Sequence, residues 1–136
     1  MPQMMQSLTK SKYDNITFHI PTPDGTANII ILEERPGKIV KIFMMVGKAG
    51  SSINAYCYAL AEMTVHSLCN GSDIHEVIAL LGSITSDRTA RIGGGAVCRS
   101  GPEALQMALM KYRNTCQADD SDTKFRAARF TNPRRA

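Results

Sequence analysis

The sequence contains no long apolar run and no closely spaced cysteine pair. No apolar stretch reaches the about 18 residues that a membrane-spanning helix needs, so we expect no membrane partner. Residues 1–15 lack the apolar stretch of a secretory signal, which predicts a cytoplasmic protein. The cysteines Cys57, Cys69, Cys98 and Cys116 lie 12, 29 and 18 residues apart, a spacing that favours reduced thiols over a zinc or redox site.

A strong excess of one charge is also missing from most of the chain. Residues 1–116 carry 11 basic and 9 acidic side chains, whereas residues 117–136 carry 5 and 3. The first part therefore lacks the dense basic face of a duplex-DNA binder, and we expect no nucleic-acid partner for it. Small anions stay compatible with this balance, because a few arginines in one pocket suffice to bind them.

Motifs for catalysis are absent from the sequence as well. It has no nucleophile elbow, no HExxH pair and no carboxylate cluster for magnesium. Glu62 and His66 are four residues apart and could form an acid–base pair or part of a metal site. However, they occupy the narrow polar stripe of an apolar helix, where a structural hydrogen bond or a wet face explains them. We therefore expect that the protein is not an enzyme and that it binds no metal and no cofactor.

What the sequence does contain is one domain of ordinary composition. With 136 residues, 43% of them apolar and 21% charged, the chain suits a single folded core. We place this domain at residues 15–116, between an N-terminal segment 1–14 and a basic tail 117–136 that we expect to be flexible. Phenylalanines interleaved with the basic residues of the tail leave nucleic-acid contact as the alternative to a solvated tail without a target.

Three strands are predicted in the first third of the chain, over residues 15–20, 26–34 and 39–46. The turn signals Pro23-Asp24-Gly25 and Pro36-Gly37 separate them. Turns this short favour an antiparallel meander.

Three helices are predicted after the strands, over residues 52–68, 73–81 and from 101 to about Asn114. Residues 83–98 are expected to form a flexible glycine-rich loop that returns into a short extended segment. The predicted fold class is thus α+β, with an antiparallel sheet of three or slightly more strands packed with three helices.

The first helix is apolar around most of its circumference. Its polar side chains, Asn54, Glu62 and His66 with Tyr58 between them, are spaced by four and form one stripe. A helix wetted on so little of its surface should be covered elsewhere, which predicts a homo-oligomer.

Two of the predicted helices begin with a basic residue followed by small hydroxyl and glycine residues. The hinge Gly47–Ser52 precedes the first helix, and Arg99-Ser100-Gly101 precedes the third. A helix N-terminus attracts anions through its free N–H groups and its dipole. The hinge is not a Walker A loop, because its lysine does not directly precede the helix. A plain strand-to-helix turn with a cap is an equally good explanation of the hinge alone.

Two such helix starts could hold a pyrophosphate between them if they converge in space. Arginines of the loop 83–98 could add further forked contacts to phosphate. The candidate ligand-binding residues are Lys48, Gly50, Ser51, Ser52, Arg88, Arg91, Arg99 and Ser100.

The segments KIFMMVGKAGSS (residues 41–52) and SDIHEVIALLGSI (residues 72–84), joined by a long helix, resemble the TSCPD domain of some ribonucleotide reductases. The resemblance covers about residues 39–110, and its most specific part is strand–GKxGS–helix. Where that family carries a Cys-Pro pair after the second helix, this chain reads Ile84-Thr85-Ser86-Asp87. The resemblance therefore does not carry over a thiol role.

With the added segment CRSGPEAL (residues 98–105), the chain is similar to the first family of phage sponge proteins that counter Thoeris defence. The similarity implies a non-catalytic protein that sequesters a cyclic ADP-ribose signal, and in related members cyclic oligonucleotides. It also implies a homodimer or a larger ring, up to a hexamer, with pockets between protomers. Arg99 matches the family's C-terminal arginine, while no motif identifies a base-stacking residue. The alternative is an accessory interaction module related to ribonucleotide reductase.

Overall fold

The computed structural model describes residues 14–122, with side chains through residue 116. It confirms the predicted α+β class, with a three-stranded antiparallel sheet, three helices and an additional two-stranded sheet in this part of the chain. The elements in chain order are β1 (Asp14–Thr22), β2 (Gly25–Arg35), β3 (Lys38–Val46), α1 (Ser52–Cys69), α2 (Ile74–Gly82), β4 (Ala90–Gly93), β5 (Ala96–Cys98) and α3 (Gly101–Asp122).

The first three strands form the predicted meander, in the order β1-β2-β3. Its first turn closes tightly because the Thr22 hydroxyl donates to the Gly25 carbonyl at 2.6 Å and accepts from the Asp24 N–H at 3.1 Å. Gly25 has a φ of +121°, which a residue with a side chain rarely adopts. The turn residues thus fix the register of β1 on β2.

Helix α1 runs antiparallel to β3 along the open edge of the sheet. At one end, the Asn54 side chain accepts a hydrogen bond from the Val46 N–H at 3.0 Å. In the middle, Lys41 donates to Glu62 in an ion pair. At the other end, the Cys69 thiol lies 3.8 Å from the Ile39 carbonyl. The helix therefore blocks an edge that would otherwise expose unpaired backbone groups.

Helix α3 covers the inner face of the three-stranded sheet. Leu105 and Leu109 are fully buried, and each contributes about 1.5–3 kcal/mol by removal from water. Further along, the hydroxyl of Tyr112 donates to the Glu33 carboxylate at 2.6 Å and accepts from the Gly37 N–H at 3.0 Å. The helix is thus tied to the sheet by packing and by one buried polar network.

The third helix and the loop 83–98 differ most from the sequence prediction. The third helix was predicted to end near Asn114, but it continues to Asp122, because residues 103–122 contain no glycine or proline to stop it. The tail predicted from residue 117 thus begins as helix, and its remainder from 123, like residues 1–13, lies outside the described part. The loop 83–98 contains a β4–β5 hairpin whose turn is built by Gly94 and Gly95 at positive φ.

Within one chain, helix α1 is covered on only part of its circumference. Its buried residues Cys57, Ala61 and Thr64 face the core. On another face, Tyr56 is 70% exposed and Met63 is 64% exposed. Over residues 14–122, no helix is long and apolar enough to cross a membrane.

Candidate anion-binding site

The hinge between β3 and α1 ends in an N-cap at Ser51. The Ser51 hydroxyl accepts from the Asn54 N–H at 3.3 Å and donates to the Lys48 carbonyl at 2.7 Å. The side chains of Lys48 and Ser52 are exposed. Because the Ser51 hydroxyl is engaged within the hinge, the groups free to meet a ligand are the Lys48 ammonium, the Ser52 hydroxyl and the first N–H groups of the helix.

The turn between β1 and β2 lies directly against this hinge. A Cβ atom at Gly47 would stand 2.9 Å from the Asp24 carbonyl oxygen, and one at Gly25 would stand 3.1 Å from the Gly47 Cα. Two glycines therefore allow the two backbones to touch. Gly47 and Gly50 also have φ values of +70° and +86°, which give the hinge its shape.

Arg88 is hydrogen-bonded to the same turn. Its guanidinium donates to the Asp24 carboxylate at 3.3 Å and to the Pro23 carbonyl at 2.6 Å. The side chain is 62% exposed, so a large part of it stays open to solvent. Arg88 is thus placed next to the turn that contacts Gly47.

Ser86 connects the Arg88 segment to Arg99. The Ser86 N–H and hydroxyl both donate to the Arg99 carbonyl, at 3.1 and 2.7 Å. The same hydroxyl accepts from the Arg88 N–H at 3.1 Å. The backbones of the two arginines therefore lie within two hydrogen-bond lengths of each other.

Arg99 is held in a fork by Glu103, one turn into α3. The Nε and Nη2 groups of Arg99 donate to the two carboxylate oxygens of Glu103 at 3.2 and 2.8 Å. The backbone N–H of Arg99 donates to the same carboxylate at 2.7 Å. These hydrogen bonds and the neighbouring charge raise the pKa of Arg99, and the Arg99 hydrogen bonds lower the pKa of Glu103 despite its burial. The pair stays ionised at neutral pH, with 46% of the Arg99 side chain exposed.

Ser100 caps α3, as the sequence predicts. Its hydroxyl accepts from the Glu103 N–H at 3.0 Å and donates to the Ile84 carbonyl, and its side chain is buried. Because the donor and an acceptor position of this hydroxyl are both used in the fold, Ser100 shapes the helix start and offers little to a ligand.

The start of α3 in turn packs against α1. A Cβ atom at Gly101 would lie 2.8 Å from the Cys57 sulfur, which is one and a half helical turns from the hinge. Burial raises the pKa of the Cys57 thiol, so this cysteine is a packing residue without thiolate character.

These contacts form a closed series of segments at one end of the molecule. The series runs from the hinge to the β1–β2 turn, to residues 86–88, to residues 99–101 and back to α1. We call these four segments the helix-start cluster. It brings together the hinge residues, Arg88, Arg99 and Ser100.

Arg91 is the candidate arginine that no hydrogen bond or ion pair among the described residues ties to the cluster. It lies in β4 opposite Val97 with an exposed side chain. Within residues 14–122 its guanidinium has no hydrogen bond or ion pair, so its link to the cluster is the short β5 strand that leads to Arg99.

The Glu62–His66 pair does not form in the structure. Glu62 accepts from Lys41 instead, and this hydrogen bond lowers the pKa of Glu62. In the described residues no group of three or more histidine, cysteine or acidic side chains could hold a metal ion. The polar stripe thus serves mainly to fasten α1 to β3.

A cavity of about 680 Å³ lies at the other end of α1, and sequence reasoning missed it. It is formed where the β2–β3 turn faces the α1–α2 turn, with Lys38, Cys69 and His75 in its wall. The 18 residues of α1 make about 27 Å of helix, which separates this cavity from the helix-start cluster.

Sequence reasoning also missed the partners of the arginines. The fork from Arg99 to Glu103 follows from their i,i+4 spacing and could have been predicted. Asp24 and Ser86 carried no such signal, because they meet Arg88 and Arg99 across 64 and 13 residues of sequence.

No family model, curated protein or solved structure matches this chain. The resemblance to the TSCPD domain therefore stays a prediction from the quoted motifs.

Proposed function

We propose that the protein binds a cyclic ADP-ribose-type nucleotide at the helix-start cluster and sequesters it without cutting it. The observation that carries the proposal is a series of contacts between neighbouring segments. It begins at Gly47 and runs through Asp24, Arg88 and Ser86 to Arg99. It supports the condition on which the sequence prediction depends, namely that two helix starts and two arginines belong to one region.

The chemistry of this region suits phosphate. The cluster and its neighbour Glu103 contain three cationic side chains, Lys48, Arg88 and Arg99, and three carboxylates, Asp24, Asp87 and Glu103, and Arg91 adds a fourth cation from the adjoining hairpin. Arg99 donates to Glu103 from Nε and Nη2, and its Nη1 group therefore stays available for a phosphate oxygen. Two helix N-termini add partial positive charge.

The kinds of group present support binding without turnover. Arginine, lysine and capping serines hold phosphate oxygens at neutral pH without exchanging a proton. The similarity to the phage sponges supports the same ligand class, with cyclic oligonucleotides as further ligands. It also supports self-assembly and a location in the host cytoplasm.

The decisive experiment is to incubate the protein with cyclic ADP-ribose, remove unbound ligand, and heat the complex. Recovery of intact ligand is expected, and a hydrolysed product would refute sequestration. Calorimetry with the same ligand gives the affinity of the native protein for comparison with variants.

Arg99→Ala should weaken this binding by about 1.5–3 kcal/mol, because a charged hydrogen bond to phosphate is lost. Arg113→Ala is the matched control, since Arg113 lies on the same helix and contacts His75 near the other end of α1. An unchanged affinity of Arg99→Ala would move the site elsewhere.

The alternative function is an accessory module that binds a nucleotide-metabolising enzyme. The exposed Tyr56 and Met63 on α1 favour it, because they offer an apolar surface to a protein partner. Co-purification with a ribonucleotide reductase, together with no heat of binding for cyclic ADP-ribose, is the result this alternative predicts.

A further inference from the structure

Ser86 lies between the two arginines, and its backbone N–H donates to the Arg99 carbonyl at 3.1 Å. Its hydroxyl donates to the Arg99 carbonyl at 2.7 Å and accepts from the Arg88 N–H at 3.1 Å. The side chain itself is exposed. The exposed Ser86 hydroxyl therefore adds a second hydrogen bond to Arg99 and joins it to the Arg88 N–H of its own segment, so that it acts as a spacer between the two arginines.

Both arginines are also fixed at their far ends. Arg88 is held by the Asp24 carboxylate and the Pro23 carbonyl, and Arg99 is held by the Glu103 fork. Each guanidinium group is therefore held by its acceptors, and Ser86 links the two backbones through hydrogen bonds. The separation of the two cationic groups is set before any ligand arrives.

We propose that Ser86 is a positioning residue that fixes the spacing of Arg88 and Arg99 and thereby selects ligands with two linked phosphates over monophosphates. This inference rests on the function proposed above. It adds a basis for discrimination, namely that a pyrophosphate spans both guanidinium groups while a single phosphate engages one at a time.

The physical reason is preorganisation. A ligand that bridges two arginines binds well only if their separation matches its own, and a mobile pair loses conformational freedom on binding. A ligand that uses one arginine does not sense the separation. Loss of the Ser86 hydroxyl therefore affects the two ligand classes differently.

The test measures affinities of Ser86→Ala and Ser86→Thr for ADP-ribose and for AMP, each in competition with a fluorescent ADP-ribose derivative. Ser86→Ala should bind ADP-ribose about tenfold more weakly, with less than a roughly twofold change for AMP. Ser86→Thr keeps the hydroxyl and should restore the discrimination. Thr85→Ala is the matched control, because it removes a hydroxyl from the neighbouring exposed position.

Three results would count against Ser86 as a spacer. Equal weakening for both probes would mean that Ser86 only maintains the local fold, and thermal unfolding of each variant shows how far the fold is affected. An unchanged ADP-ribose affinity in Ser86→Ala would overturn the inference directly, as would a failure of Ser86→Thr to restore discrimination in a folded protein. A native protein that gives a heat of binding with cyclic ADP-ribose but binds neither probe would also overturn this inference, whereas one that binds neither the probes nor cyclic ADP-ribose would overturn the proposed function.

Discussion

At the scale of single residues, the ion pair of Arg99 and Glu103 links stability to the candidate site. Glu103 is buried and accepts three hydrogen bonds from Arg99. The Arg99 hydrogen bonds hold the pKa of Glu103 below its ordinary value of 4.5. A carboxyl group with a lower pKa in the folded state stabilises the fold above its unfolded pKa, and this stabilisation is lost as pH falls through its folded pKa.

Glu103→Gln should therefore lower the free energy of unfolding by about 1–2 kcal/mol at neutral pH, because the charge-assisted bonds are lost. The difference from the native protein should begin to shrink as pH falls below 4.5, where the unfolded chain takes up the proton, and should vanish once pH is below the lowered pKa of the folded Glu103. Urea denaturation at several pH values measures this difference.

The control for this pH series is Glu34→Gln, which changes an exposed carboxylate at the end of β2. It should alter stability little. A Glu103→Gln deficit that stays constant from neutral to acidic pH would show that the charge of Glu103 is not the source of the stabilisation.

At the scale of elements, the hinge between β3 and α1 depends on two glycines for different reasons. Both have positive φ, but only Gly47 lies against another backbone, with the Asp24 carbonyl 2.9 Å from where its Cβ would be. A Cβ at Gly50 would meet nothing within 4 Å. The two positions therefore separate backbone strain from loss of space.

Gly50→Ala should lower the free energy of unfolding by about 1–2 kcal/mol through strain alone. Gly47→Ala should lower it by at least about 1 kcal/mol more, because the β1–β2 turn must move away from the hinge. Chemical denaturation of both variants provides the comparison, and equal losses would contradict the close approach of the two backbones.

Helix α1 shows how far a periodic pattern can be interpreted. The spacing of its polar residues predicted that they share one stripe, explained by a structural hydrogen bond or by a wet face. In the structure, however, Asn54 and Glu62 bind β3, whereas Tyr56 and Met63 are exposed. Periodicity shows which residues share a face, but the neighbouring strand decides which face is covered.

At the scale of the whole molecule, the exposed face of α1 keeps self-association as a prediction. Its members, Ala55, Tyr56, Ala59 and Met63, follow each other at helical spacing and are exposed. A second copy that covered this stripe would remove its apolar surface from water.

We expect the native protein to form a dimer or a larger ring in light scattering at micromolar concentration, and Met63→Glu to shift it toward monomer. A charge inside an apolar interface is poorly solvated, which is the reason for the shift. Leu80→Glu is the control, because Leu80 on α2 has the same 64% exposure as Met63. A monomeric native protein would rule out this assembly.

The sequence by itself determined the strands of the meander, the helices and their caps, since these depend on neighbours a few residues away. Apolar patterns placed the three strands, and the turn signal at Asp24-Gly25 and the helix start after Ser100 lie where the turn and the cap occur. Local patterns of period 2 and 3.6 suffice for this.

Only the tertiary structure decided what Arg88 touches and which segments connect the two helix starts. Asp24 and Arg88, or Gly47 and the β1–β2 turn, come together through the packing of distant segments, and no local pattern records such a contact. The same packing decided that Asn54 and Glu62 of α1 meet β3, because the free Val46 N–H and the Lys41 ammonium of this edge strand need hydrogen-bond acceptors.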